Sequence, residues 1–180
     1  TGTGLLLLRG LRERLRPTWI GTVGLRPDTA PIYARLGFRT GTLVRMLLLD
    51  VGRDEHRLVR VPPDVDVETR DAWTRHRPAL GPPLSVADLP GLAAATAGAV
   101  PARTVDAIAM RYLDHPFQRY RADHVPPGPG HGGAVMVSRV VSYDGARAVR
   151  IVDLVGDPAA ATGAGPLLRG LLAVADAEWL

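Results

Sequence analysis

Hydrophobic residues near the start of the chain recur at the spacing of an α-helix. Leucines at positions 7, 8, 11 and 15 fall on one side of such a helix, and arginines fall mainly on the other. This pattern predicts an amphipathic helix over residues 4–16, ended by Pro17. A second helix is predicted over 29–36, because Pro31 suits a first helical turn and Gly37 suits the position just after a helix.

Between and after these helices, runs of apolar residues have the length and composition of β-strands. Residues 19–25 (WIGTVGL) predict a short buried strand. Residues 38–50 and 55–61 predict two further strands, joined as a hairpin by a turn at Gly52-Arg53-Asp54. Six prolines then fall within residues 62–90, where little periodicity remains, so this stretch is interpreted as a linker or domain boundary.

The second half of the chain alternates helical and extended patterns. Asp144-Gly145 is a strong turn signal between two apolar runs, and Thr104 is placed to cap a helix. The predicted elements are a helix over 104–113, strands over 117–125, 133–143 and 147–155, and a helix over 163–179. The order of elements predicts an α/β fold, of the α+β kind with a mixed sheet.

Composition narrows the class of protein. The chain has 180 residues, of which 46% are hydrophobic, enough for one ordinary domain or two very small ones. The absence of cysteine excludes disulfides, a thiol nucleophile and cysteine-ligated metal, and the five histidines lack the spacing of a metal site. No apolar run reaches the roughly 18 residues that a membrane helix needs and no signal peptide is visible, so a cytoplasmic location is expected.

Charge is distributed unevenly. All 22 basic residues are arginine, a bias that indicates a GC-rich genome, and the net charge is +4. Residues 1–60 hold 11 arginines against five acids, whereas residues 61–180 hold 11 against 13. The surplus in the first third favours an anionic ligand, although a solvated arginine-rich face explains it equally well. Aromatic residues make up only 5%, so no stacking platform for nucleic acid is predicted.

The start of the chain has a counterpart near its end. TGTGLLLLRGL (1–11) is matched by TGAGPLLRGL (162–171) with one residue dropped, and each copy places a Gly-x-Gly pair before an amphipathic helix. The second copy follows a predicted strand, as a strand–loop–helix phosphate site requires. The similarity suggests a duplicated domain, with chance similarity in a biased composition as the alternative. Because the chain opens on such a loop without a methionine, it is expected to be a fragment.

Gly2-Thr3-Gly4 is the candidate ligand loop of the first copy. Glycines let the backbone approach a ligand closely, and the free N–H groups of a first helical turn attract phosphate. Further along, residues 33–38 read YARLGF. In this order the two motifs resemble the Gcn5-related N-acetyltransferase (GNAT) superfamily, whose signature is Arg/Gln-x-x-Gly-x-Gly/Ala followed later by Tyr-x-x-Leu-Gly-Phe. YARLGF matches the second motif fully, and Gly2 and Gly4 match the first, whose Arg/Gln would precede Thr1.

The resemblance implies acetyl-CoA as the co-substrate. Backbone amides at Gly2, Thr3, Gly4 and Leu5 would hold its pyrophosphate, and Tyr33 would protonate the departing thiolate. A phenol is protonated at neutral pH and can act in this way. The acceptor, a small-molecule amine such as an amino sugar, would attack the thioester directly, with no nucleophilic serine or cysteine. Without the resemblance, Tyr33 is simply an aromatic residue of an amphipathic helix, packed against its neighbours.

The resemblance also implies a domain organisation. Residues 1–61 would be the C-terminal half of a first GNAT-like domain, 62–90 the linker or the start of a second, and 91–180 the N-terminal half of that second, degenerate domain. Residues 111–125 and the strands after them resemble the second half of tandem acetyltransferase-like proteins, some of them encoded with bacterial surface-polysaccharide genes. Pro166, at the position that matches Leu5, removes a backbone N–H, so the second copy should bind CoA poorly.

Several reactive residues have two interpretations each. Asp153 lies in a strand and is either a catalytic carboxylate or a satisfied core aspartate, and His115 is either a base or a loop cap. Arg119 and Arg121 either hold an anionic acceptor or form a solvated strand face. For the whole chain, the alternatives to an acetyltransferase are a non-catalytic GNAT-like scaffold and an arginine-rich regulatory module that binds anions or nucleic acid. No resident metal is predicted.

Overall fold

The computed structural model describes residues 3–17, 20–21, 24, 26–42, 47–60, 77–92 and 103–180. The chain forms two compact units, Thr1–Arg45 and Met46–Leu180. The described part of the first contains helices, and the second is built on an antiparallel sheet with helical segments on both faces. The chain is therefore of α/β class, as the sequence predicts, but the sheet of the described residues is antiparallel and not mixed, because hairpin-like connections join its successive strands. The division into halves of two GNAT-like domains stays a prediction.

The first helix confirms the pattern of its sequence. Helix α1 spans Thr3–Leu15, close to the predicted 4–16. It ends where Arg16 adopts a left-handed backbone conformation (φ 42°), just before Pro17. Leu7, Leu11 and Leu15 of its apolar stripe remain exposed, at 51–65%, and Leu8 is half-buried. The described residues therefore do not bury the stripe that predicts the helix.

The second helix of the first unit is short. Helix α2 spans Ala30–Arg35, within the predicted 29–36, and carries Pro31 in its first turn. Gly37 follows with φ 85°, the left-handed conformation that ends many helices. The strand predicted over 19–25 lies mostly outside the described residues.

The second unit is centred on a sheet of three antiparallel strands in the order β1-β2-β3. Strand β1 spans Arg121–Val125, β2 spans Ala134–Tyr143 and β3 spans Ala146–Gly156. The turn between β2 and β3 is Asp144-Gly145, and both residues have positive φ (48° and 75°), as a two-residue hairpin turn requires. The bounds of β2 and β3 agree with the predicted strands to within one residue.

Strand β1 begins later than the sequence predicts, at Arg121 instead of residue 117. The reason is His115, whose ring Nδ1 accepts hydrogen bonds from the backbone N–H groups of Phe117 (3.1 Å) and Gln118 (3.0 Å). N–H groups that bond to a side chain are not available to a sheet. The interpretation of His115 as a loop cap is therefore confirmed.

Helical segments cover both faces of the sheet. On one face, helix α3 (Val105–Ile108) continues as a π-helical turn, Ala109–Leu113. Thr104 caps α3 as predicted, by accepting a hydrogen bond from the Ala107 N–H at 3.1 Å. On the other face, helix α4 spans Gly165–Ala175, and a left-handed residue at position 176 (φ 49°) ends it before the predicted residue 179.

A bulge in β3 lets this strand pack against both helical layers. The register between β2 and β3 shifts between Val137 and Ser138, and Val152 has no partner in the ladder. One extra residue reverses the alternation of side chains along a strand. Val155 therefore packs with the α3 side, whereas Val149, beyond the bulge, packs against α4.

The C-terminal segment, residues 177–180, lies between β3 and residues 48–50. The Leu48 N–H bonds to the Leu180 carbonyl at 2.8 Å, and the Leu180 N–H bonds to the Leu48 carbonyl at 2.9 Å. The other edge of the segment bonds to β3, where the N–H at position 178 donates to the Arg147 carbonyl at 2.8 Å. Two short extended segments therefore lengthen the hydrogen-bonded layer beyond β3.

The hairpin predicted for residues 38–50 and 55–61 is wrong for the described residues. Residues 55–60 contain bends and no strand. The reason is the buried carboxylate of Glu178, whose Oε2 accepts hydrogen bonds from the backbone N–H groups of Arg57 and Leu58, each at 2.8 Å. These donors are consequently not available to pair with a neighbouring strand.

The proline-rich stretch is described only in its later part, since residues 62–76 lie outside the described residues. Residues 77–85 have no helix or strand, and a 3-10 helix follows at Val86–Leu92. Leu89 is buried in the core on the α3 side of the sheet. The Leu84 N–H bonds to the Ala122 carbonyl of β1 at 2.8 Å. This part of the stretch therefore belongs to the second unit.

Candidate functional site

The predicted CoA loop lies at the start of α1. Gly2 is outside the described residues, and Thr3, Gly4 and Leu5 form the first turn of the helix. That turn contains no acidic side chain. A Cβ placed on Gly4 would meet no atom of the described residues within 4 Å. Gly4 therefore lies in open space at the end of the helix where backbone N–H groups favour an anion.

Tyr33 takes part in the C-terminal cap of α2. The Phe38 N–H bonds to the Tyr33 carbonyl and the Gly37 N–H bonds to the Ala34 carbonyl, both at 3.0 Å. With Gly37 left-handed, these are the two hydrogen bonds of a Schellman motif. The rings of Tyr33 and Phe38 meet edge to face, with centroids 5.5 Å apart. The YARLGF motif is therefore a complete helix cap, in which the half-buried Tyr33 ring supplies the apolar contact.

A cavity of about 640 Å³ lies between the two helices of the first unit. Leu5, from the first turn of α1, and Phe38, from the cap of α2, both line it. Arg9 and Arg12 line it as well, and the Nε of Arg9 is 3.0 Å from a carboxylate oxygen of Glu13. One residue from each sequence motif thus reaches the same cavity, and arginine side chains form part of its wall.

The second Gly-x-Gly copy has a different environment. Helix α4 begins at Gly165, and Pro166 in its first turn has no N–H to offer a ligand. The Pro166 carbonyl accepts a hydrogen bond from the Ala79 N–H at 2.9 Å. Further along the helix, a Cβ placed on Gly170 would lie 2.8 Å from the Leu80 side chain. Residues 79–80 therefore run along the flank of the second copy.

Asp153 is held by a cluster of polar groups between β3 and the helical layer of α3. Its Oδ2 accepts a hydrogen bond from the Tyr112 hydroxyl at 2.5 Å and lies 2.9 Å from Nη1 of Arg103. Its Oδ1 accepts from the Leu154 N–H at 3.1 Å. Burial, together with the hydrogen bond to Asp153, raises the pKa of Tyr112 above its ordinary value. Both oxygens of Asp153 have partners, which is the arrangement of a satisfied core aspartate.

Arg103 and Tyr112 are not predicted from the sequence as members of this cluster. Tyr112 lies 41 positions before Asp153 in the chain, and no local pattern links the two. The available signal was the helical spacing of Ile108 and Tyr112, four residues apart, which places both on the buried side of one helical segment.

Arg121, one of two candidate anion-binding arginines on or near β1, is already paired. Its Nε lies 3.0 and 2.9 Å from the two carboxylate oxygens of Asp123, and its Nη2 donates to the Gly81 carbonyl at 2.6 Å. The other candidate, Arg119, is exposed and has no hydrogen-bond or ion-pair partner among the described residues. Arg121 is therefore a structural arginine, whereas Arg119 is available to a ligand.

Comparison with known proteins gives no family for this chain. No model of a protein family matches it, and neither a curated protein nor a solved structure matches it. In the part of the chain that the structure describes, no group of three or more histidine and acidic side chains could hold a metal ion. None of the described helices is long and apolar enough to cross a membrane. Functional inference therefore depends on the two motifs and on the cavity that they share.

Proposed function

We propose that this chain is part of an acetyl-CoA-dependent N-acetyltransferase of the GNAT superfamily, which transfers an acetyl group to a small-molecule amine such as an amino sugar. The observation that carries the proposal is the cavity between α1 and α2. Leu5 from the first motif and Phe38 from the second line this one cavity, although 32 positions separate them in the sequence.

The cofactor half of the proposal is supported by charge and backbone geometry. CoA carries several phosphate charges, and a helix N-terminus without acidic side chains favours such a group. The first-turn amides at Thr3, Gly4 and Leu5 would hold the pyrophosphate. Arg12 on the cavity wall adds positive charge, whereas the charge of Arg9 is compensated by Glu13, which also lines the cavity. The same features suit a polyanion better than a neutral ligand.

In the catalytic half of the proposal, Tyr33 is the proton donor. As the neutral acceptor nitrogen bonds to the acetyl carbon, the carbon–sulfur bond breaks, and Tyr33 would donate its phenolic proton to the leaving sulfur. The nitrogen would lose its own proton to solvent, from which the Tyr33 phenolate regains one, so that the products are the amide and the CoA thiol. The Schellman motif fixes the backbone of Tyr33, and the Phe38 ring limits how its side chain can turn. A proton donor held in this way needs little reorganisation at the moment of transfer.

The second unit supports a GNAT-like fold for the remainder of the chain. A helical segment, three antiparallel strands and a helix opened by a Gly-x-Gly loop follow one another in the order that the resemblance implies. Pro166 gives the second copy one donor fewer in its first turn, so CoA would be held by the first copy alone. The second unit would then be a degenerate partner domain.

Titration of the chain with CoA, followed by calorimetry, tests the cofactor site. Gly4→Pro removes one backbone N–H, while proline remains acceptable in a first helical turn, so CoA affinity should fall by about tenfold or more. Gly4→Ala keeps the N–H and has open space for its methyl group, so its affinity should match that of the unmodified chain. The cofactor claim fails if CoA does not bind or if both variants bind it equally well.

Thiol release from acetyl-CoA in the presence of amines tests Tyr33. Tyr33→Phe keeps the ring contact with Phe38 and removes only the proton donor, so turnover should fall by about a hundredfold while CoA affinity is unchanged. Unchanged turnover would remove Tyr33 from the reaction. CoA binding without any turnover, in the unmodified chain, would favour a non-catalytic scaffold.

A further inference from the structure

A groove of about 380 Å³ opens beside α4 in the second unit. Its walls are largely apolar and include Leu80, Val149 and Leu171. Four arginines also line it, Arg119, Arg121, Arg139 and Arg147, and no acidic side chain does. An apolar pocket with a few convergent groups of one charge is the usual form of a small-molecule site.

Two of these arginines are neutralised within the protein. Arg121 is paired with the carboxylate of Asp123, which is itself buried. Nη2 of Arg147 lies 3.2 Å from a carboxylate oxygen of Asp176. These two side chains form part of the groove wall, but because their charge is compensated they attract an anionic ligand only weakly.

The other two arginines keep donors available. Arg139 donates from Nη1 to the side-chain oxygen of Gln118 at 2.5 Å, a neutral acceptor that leaves its charge uncompensated. Nε of Arg139 is buried and has no hydrogen-bond partner among the described residues. Arg119 has no partner there either. Because the Arg139 guanidinium has only a neutral partner and Arg119 has none among the described residues, an anion beside them in the groove would compensate their charge.

We propose that this groove binds a small anion carried on an apolar body, either a carboxylate or a phosphate monoester. The anion lies at Arg139 and Arg119, and the apolar body lies against the exposed side chains of Val140 and Val174. The planar guanidinium groups match the oxygens of both anions. The volume suits a small molecule and not a macromolecular partner. This site is separate from the acetyltransferase proposal and stands without it.

Calorimetric titration of the 180-residue chain with four probes tests the chemistry of the ligand. Octanoate and octyl phosphate carry an anion on an apolar chain, octanol lacks the charge, and inorganic phosphate lacks the apolar part. We expect octanoate or octyl phosphate to bind at least about tenfold more tightly than both octanol and inorganic phosphate. The preferred anion identifies the source, a free carboxylic acid or a phosphate ester. Equal binding of octanol, or equal binding of inorganic phosphate, overturns the proposal.

Variants locate the site. Arg139→Gln and Arg119→Gln should each weaken binding of the preferred probe by about tenfold. Arg111→Gln makes the same change of charge at an exposed arginine of the π-helical turn on the α3 side, which does not line the groove, and it should bind normally. If Arg139→Gln fails to fold, Val174→Glu replaces it, because Val174 lines the groove, is 71% exposed and would bring a repelling carboxylate. Unchanged affinity in Arg119→Gln and Val174→Glu would place the ligand elsewhere and overturn the proposal.

Discussion

The carboxylate of Asp153 is held by donors from three parts of the chain, the Tyr112 hydroxyl, the Arg103 guanidinium and the Leu154 N–H. A buried carboxylate is stable only when such donors replace the water that it has lost. Removing Asp153 would leave a charged and a polar group without their acceptor. Removing the Tyr112 hydroxyl leaves the carboxylate with two donors, so this change measures the contribution of the Tyr112–Asp153 hydrogen bond alone.

Tyr112→Phe should therefore destabilise the second unit moderately. The ring and its edge-to-face contact with Tyr120, at 5.3 Å between centroids, are kept. We expect the free energy of unfolding at neutral pH to fall by about 1.5–3 kcal/mol, as for one hydrogen bond to a charged acceptor. Urea unfolding followed by circular dichroism measures it.

The same variant should change how stability depends on pH. The pKa of Tyr112 is raised in the folded state above its ordinary value of 10.0, so the folded protein holds this proton more tightly than the unfolded chain. Its contribution to stability is complete below the unfolded pKa and is lost as pH rises through the folded pKa. Tyr112→Phe should lose less stability above about pH 10 than the unmodified chain does. Tyr143→Phe, at a ring 76% exposed, is the control, and equal alkaline losses in all three proteins would contradict the assignment.

At the scale of elements, the two Arg-Gly-Leu copies give opposite expectations for the same substitution. Gly10 lies inside α1 with no described atom within 4 Å of a new Cβ, whereas a Cβ on Gly170 of α4 would meet Leu80 at 2.8 Å and the Ala79 carbonyl at 3.1 Å. Gly10→Ala should stabilise its helix by up to about 1 kcal/mol, because alanine has the higher helix propensity. Gly170→Ala should cost about 1–3 kcal/mol, because residues 79–80 must move.

Thermal unfolding of the two variants, followed by far-ultraviolet circular dichroism, compares these helices. A rise in the midpoint for Gly10→Ala and a fall for Gly170→Ala would show that the repeated sequence serves two environments, one open and one packed. Similar changes in both would mean that residues 79–80 do not lie against α4 in solution.

Across the whole chain, residues that determine the conformation of adjacent backbone predict the structure well. Segments that pair across a long sequence distance are predicted poorly. Pro31, Gly37 and Asp144-Gly145 act on backbone within a few residues, and the elements that they bound are found as predicted. The apolar run in 38–50 predicts a strand but does not specify the partner segment with which it pairs. The structure supplies 177–180 as that partner.

The candidate sites show the same difference between residues that are contiguous in the sequence and residues that are distant in it. Gly4, Leu5 and Tyr33 could be chosen because each belongs to a contiguous motif. The groove beside α4 and the cluster around Asp153 could not, because the side chains that form them meet only after the sheet and both helical layers have assembled. Arg139 is one arginine among 22 until the fold leaves its Nε buried without a described acceptor.

Substitution of Glu178 tests whether residues 177–180 stabilise the second unit. Its Oε2 accepts the N–H groups of Arg57 and Leu58, and it belongs to the segment that bonds to residues 48–50 and to β3. Glu178→Ala leaves these two N–H groups without their acceptor, so the free energy of unfolding should fall by about 2–4 kcal/mol. Glu178→Gln keeps a carbonyl oxygen that can accept both bonds, so its loss should be smaller.

Hydrogen exchange at the Leu48 and Asp50 amides separates this local effect from a general one. Both amides donate to the C-terminal segment, at 2.8 and 2.9 Å. Their protection should fall in Glu178→Ala before that of β2 does, because residues 47–58 would detach while the three-stranded sheet keeps its own ladder. If both regions lose protection together, the C-terminal segment is an integral part of the sheet's cooperative unit. If neither changes, the bonds to Glu178 do not hold residues 47–58 in place.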